Sequence, residues 1–123
     1  MSEVSAAGSD AQVISAGMVR IYKEMAGRGP TKARTEISDN MVVTVLSDSL
    51  TQAELTLAQK ENADRVRELR RTLQGAMNEQ MTQLVEVTLR RKVICLLSDH
   101  SPDPDYAVEV LILAPENGAA DNG

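Results

Sequence analysis

Aromatic side chains are nearly absent from this sequence: two tyrosines, no phenylalanine and no tryptophan, 2% of the chain. The core must therefore be assembled from Leu, Val, Ile, Met and Ala. The same scarcity removes the stacking platforms on which single-stranded nucleic-acid binders lay their bases. A formal net charge of −5 argues further against general affinity for nucleic acid or for an anionic membrane surface. One cysteine, Cys95, excludes an internal disulfide and any cysteine-only metal site. It lies in the apolar run Val93-Ile94-Cys95-Leu96-Leu97 and reads as a small buried hydrophobe, in keeping with a reducing compartment. No stretch reaches the roughly 20 apolar residues that span a bilayer, so no direct membrane insertion is expected. Met1-Ser2-Glu3-Val4-Ser5 lacks the basic-then-apolar order of a signal peptide, and the expected location is the cytoplasm.

What the chain does have is periodicity. Its 123 residues suffice for one domain with one core. Residues 1–9 and 115–123 are small, polar and aperiodic, and read as disordered tails around a single domain at 10–114. A first helix fits 10–26, capped by Asp10, with Ile14, Met18, Ile21, Tyr22 and Met25 forming one stripe. Gly27 suits the left-handed position that ends a helix, and Pro30 prevents its resumption. Ala33, Thr35 and Ile37 alternate with Arg34 and Glu36 as in a half-buried strand, Asp39-Asn40 supplies a turn, and Met41–Leu46 makes a denser strand whose only polar residue is Thr44.

Thr51-Gln52-Ala53-Glu54 is a capping box that predicts a short helix over 51–59. A long helix is predicted over about 62–88, with Val66, Leu69, Leu73, Met77, Met81, Leu84 and Val85 on one face. At about 1.5 Å per residue it is about 40 Å long, more than one small sheet covers. Val93–Leu97 and Tyr106–Leu113 are the remaining strands, joined by a polar loop at 99–105. The fold class is α+β, in the order α-β-β-α-α-β-β, with a four-stranded, mainly antiparallel sheet and helices on one face. The other face is open to a second subunit.

Few residues carry chemistry. Arg28, Lys32 and Arg34 flank the Gly27-Arg28-Gly29-Pro30 corner, where backbone N–H groups and arginine forks suit an anion. The same residues also make an ordinary helix stop with solvated charges, and turn chemistry leaves both readings open. Arg65, Arg67, Arg70 and Arg71 form a basic patch interleaved with Asp64 and Glu68, suited to an acidic partner or phosphate, or to intrahelical ion pairs. Asp99, His100, Asp103 and Asp105 are ligand types, but their spacing matches no metal template, so no metal is assigned. His100, the single histidine, reads as an exposed loop residue; no catalytic residues and no cofactor are assigned. Glu109 interrupts an apolar strand and is expected on its wet side; facing inward it would need a partner such as Arg34 or Arg90.

The ordered series resembles a known family. It comprises the helix ending in Gly27-Arg28-Gly29-Pro30, the hairpin, Leu50-Thr51-x-x-Glu54-x-x-Leu57 and Val66-Arg67-Glu68-Leu69-Arg70. It continues with Val85-Glu86, Lys92-Val93 and Asp103-Pro104-Asp105-Tyr106-Ala107-Val108-Glu109-Val110. Over about residues 11–113 it is similar to the small bacterial MpsC-like family. That family's name comes from association with a sodium-translocating system that generates membrane potential, linked to inorganic-carbon supply. The family usually has a glycine before the third strand, where this chain has Leu89-Arg90, and its common aromatics are replaced here by Met and Leu. The resemblance implies a non-enzymatic accessory or regulatory protein rather than an ion-conducting subunit. It is expected to be a homodimer, with a membrane transport complex as a candidate partner and Arg28, Lys32, Arg34, Arg67 and Arg70 as contact residues. The alternative is a sensor of a small anion such as bicarbonate, phosphate or a nucleotide.

Overall fold

The computed structural model describes residues 2–27, 30, 32–48 and 63–115. The capping-box helix expected at 51–59, and Arg28 and Gly29 of the corner, lie outside the described residues. The described elements are α1 (Ser2–Ala26), β1 (Lys32–Ser38), β2 (Met41–Ser47), α2 (Ala63–Leu89), β3 (Val93–Pro102) and β4 (Asp105–Leu113). Helix α1 starts at Ser2, so residues 2–9, expected as a tail, are helical and Asp10 lies inside the helix rather than at its cap. Glu3, Ala6 and Ala7 favour a helix and no proline opposes them. The long helix agrees with expectation to within a residue at each end.

The strands form one antiparallel sheet in the order β1-β2-β4-β3. Strands β2 and β3 therefore run in the same direction with β4 between them, and α2 spans the crossover. Both helices cover a single sheet face. Ile14, Met18, Ile21 and Tyr22 of α1 and Met77, Met81 and Val85 of α2 pack on Val42, Leu46, Ala107, Leu111 and Leu113. Gly17 lets the helices approach: a Cβ there would lie 2.6 Å from both Leu84 methyls.

The local signals behave as turn chemistry requires. Gly27 takes φ 81° and its N–H donates to the Lys23 carbonyl at 2.8 Å, closing α1. Asp39 takes φ 53° in the hairpin. At the end of α2 the left-handed position is filled by Arg90, with φ 57° and its N–H on the Glu86 carbonyl at 2.8 Å. A Cβ is unfavourable in that conformation. Arg90→Gly is expected to raise stability by roughly 0.5–1 kcal/mol, read as a higher denaturant midpoint.

Two expectations are corrected in β3. It runs on to Pro102, so the polar loop expected at 99–105 is a tight turn at Asp103-Pro104 between two continuing strands. Cys95 is exposed rather than buried. The reason is an irregularity in register between Val93 and Cys95. One extra residue exchanges the two faces of a strand, so Leu96, Ser98 and His100 turn toward the helices and Cys95 and Leu97 turn away.

Candidate functional site

Thr35, Thr44, Glu109 and Ser98 occupy one rung across the sheet: Thr35 pairs with Thr44, Thr44 with Glu109, and Glu109 with Ser98. All four side chains point toward the helices. Thr35 and Thr44 hydroxyls lie 2.8 Å apart, and Ser15 of α1 joins Thr35 at 2.7 Å. Glu109 is fully buried, which overturns the expectation that it faces water. Its partners are not Arg34 or Arg90. The Tyr22 hydroxyl donates to Oε2 at 2.7 Å, and the Ser98 hydroxyl forms a short hydrogen bond with Oε1. Burial pushes the Glu109 carboxyl above its ordinary value, and hydrogen bonds from Ser98, Tyr22 and Gln74 oppose that rise.

Beside this cluster a small recess of about 30 Å³ opens between α2 and the end of β3. Arg67, Arg71, Gln74, Ser98, Asp99 and His100 line it. Arg67 and Arg71 are one helical turn apart and share a face. Arg67 Nη1 donates to Asp64 Oδ1 at 3.0 Å, whereas Arg71 makes no ion pair with any described residue. The His100 N–H donates to Asp99 Oδ1 at 2.8 Å, and His100 Nε2 lies 3.2 Å from Asp105 Oδ1, both side chains buried. Among the described residues no group of three His, Cys, Asp or Glu is placed to hold a metal ion.

The residues singled out in the sequence do not converge. Lys32 and Arg34 are exposed on edge strand β1, facing away from the helices. They line a shallow groove that also holds Asp48 and Asp105, which offsets their attraction for an anion. Arg34 Nε lies 3.8 Å from Glu36 Oε2 with both side chains well exposed, a geometry worth little. Pro30 is buried, as a structural turn requires. Arg67 lies elsewhere, against β3. Arg70 is on α2, and its side chain lies outside the described set.

The opposite sheet face is apolar and uncovered by any described residue. Met41, Val43 and Val45 of β2 pair with Ile112, Val110 and Val108 of β4, and Leu97 and Cys95 of β3 extend the patch. Leu97 is 57% exposed, Tyr106 52% and Val45 37%. Among the described residues no helix is long and apolar enough to cross a membrane.

The order of elements and the motifs along them find a match in one family model. The MpsC model, described as a Na+-translocating membrane potential-generating system, matches residues 7–115. The chain belongs to the MpsC family. No curated protein and no solved structure matches it. Membership ties this MpsC chain to the Na+-translocating system by association. Sequence reasoning missed that the MpsC fold brings Tyr22, Gln74, Ser98 and Glu109 together. For Glu109, as for Thr44, a signal was present: each is the one polar residue in an otherwise apolar stretch of its strand.

Proposed function

We propose that this MpsC-family chain is a non-enzymatic cytoplasmic accessory protein of the Na+-translocating system, acting through protein–protein contact as a homodimer. A membrane transport complex is the partner this reading implies. The observation that carries it is the open sheet face, an apolar patch of β2, β4 and β3 residues opposite both helices. Contiguous exposed apolar surface of this kind marks an interaction site.

A second copy fits the face. Sheets pack with their strands nearly aligned, and an isologous contact needs a self-complementary patch. The apolar centre is bordered by Lys32 and Arg34 on β1 and by Asp99 on β3. A two-fold axis along the strands lays β1 of one copy over β3 of the other. The cations then meet Asp99 of the second copy, with the valines stacked between.

Light scattering tests this directly. The wild type is expected at twice the 13.3 kDa chain mass. The pair Val45→Lys and Leu97→Lys, both exposed and away from the core, is expected to give a folded monomer. A cell carrying that variant in place of the wild type is expected to lose sodium-dependent membrane potential at unchanged protein level. A monomeric wild type at tens of micromolar would overturn the homodimer.

A further inference from the structure

We propose that the recess between α2 and the end of β3 binds a small oxyanion, a phosphate or a carboxylate, through Arg67 and Arg71. This inference concerns the helix-covered side of the sheet and shares only Asp99, at the rim of the recess, with the dimer reading.

The lining supplies the donors such a ligand needs. Arg67 and Arg71 stand at i and i+4 on α2 and line the same recess. Like charges at that spacing repel one another, and an anion seated between them turns that repulsion into two attractions. Arg71 has no ion pair with any described residue, and its guanidinium carries five N–H donors. Arg67 commits Nη1 to the exposed Asp64 carboxylate and keeps its remaining N–H groups. Guanidinium forks match the geometry of phosphate and carboxylate oxygens.

The inner wall is polar. Ser98 and the Gln74 amide line it. Behind them sits Glu109, whose carboxyl burial holds toward the neutral form. The Ser98 hydroxyl donates to Glu109 Oε1, so the donors that face the recess are the two guanidinium groups. Asp99 is the acid among the lining residues, and its Oδ1 already accepts from the His100 N–H at 2.8 Å.

Size selects among anions. The recess has about 30 Å³ of space, room for about two waters or for the oxygens of a small anion. It falls below the roughly 300–1,000 Å³ of sites that enclose drug-sized ligands, which disfavours a nucleotide. The Lys32–Arg34 groove offers the same net charge change for a control, and it carries two carboxylates the recess lacks.

The test is titration calorimetry on the full chain at low ionic strength, with inorganic phosphate and acetate as probes and sodium chloride as a salt control. Saturable binding of one equivalent of either probe is expected. The double variant Arg67→Gln, Arg71→Gln is expected to weaken it roughly ten- to hundred-fold, the factor for losing a charge-assisted hydrogen bond. Lys32→Gln with Arg34→Gln removes equal charge from the other face and is expected to leave affinity unchanged. Both arginines are at the surface, so circular dichroism of the variant is expected to match the wild type. The proposal is overturned by the absence of saturable heat up to roughly 10 mM probe, weaker than a specific site gives. Equal losses in the two double variants would overturn it as well, by assigning the binding to net charge.

Discussion

Tyr22→Ala is expected to destabilise the chain by roughly 4 kcal/mol, and Tyr22→Phe by roughly 1–3 kcal/mol. Tyr22 is 1% exposed, the largest of the fully buried side chains, in a core that has no other aromatic ring. Its ring packs where α1 meets the sheet, and neighbouring Met, Leu and Ile side chains cannot collapse fully into the space its removal leaves. The hydroxyl adds a second contribution. It donates to Glu109 Oε2 at 2.7 Å, while the Gln74 Oε1 at 3.5 Å is too far to compete for the same proton. Replacing Tyr22 by Phe keeps the packing and leaves a buried carboxyl short of a donor, which costs more than the hydrogen bond contributed. Urea denaturation reads both values from the midpoint at unchanged slope. A Phe variant as stable as the wild type would show that the hydroxyl contributes nothing to holding Glu109.

The helices and the first hairpin were legible in the sequence because their signals are local. Ile14, Met18, Ile21 and Tyr22 recur at helical spacing and are buried together, and Gly27 ends the helix in the conformation that glycine favours. Ala33, Thr35 and Ile37 alternate and face the core as their period requires. Strand β4 defeats the same logic. Tyr106, Val108, Val110 and Ile112 look like a buried face, but Ala107, Leu111 and Leu113 on the other side are the ones covered by helices. When both faces are apolar, period-two alternation no longer says which is inside. In β3 the register irregularity moved Cys95 out and Ser98 in, an event with no marker in the residues themselves. The sequence placed Arg67 and Arg71 on one helical face. That β3 supplies the opposite wall of their recess is a contact between distant segments, set by the crossover of α2 and invisible to local patterning.

Glu109 carries the second large effect. Glu109→Ala is expected to cost roughly 2–4 kcal/mol, because it leaves a void and strands the Tyr22 and Ser98 hydroxyls without their acceptor. Glu109→Gln keeps shape and hydrogen bonding and changes charge alone, so its effect appears as pH dependence. Desolvation raises the carboxyl above its ordinary value of 4.5 in the folded chain, against the hydrogen bonds that lower it. The folded state therefore keeps the proton to higher pH than the unfolded chain does. Between the unfolded and folded pKa the native state binds more protons, so stability falls as pH rises through that interval and levels off above it. The Glu109→Gln protein lacks this slope and gains on the wild type as pH increases from about 4.5. Other carboxylates contribute equally to both proteins, so the difference between their two stability curves isolates this residue. Parallel curves from pH 4 to 8 would mean that Glu109 titrates alike folded and unfolded, and that the polar rung accommodates its charge without penalty.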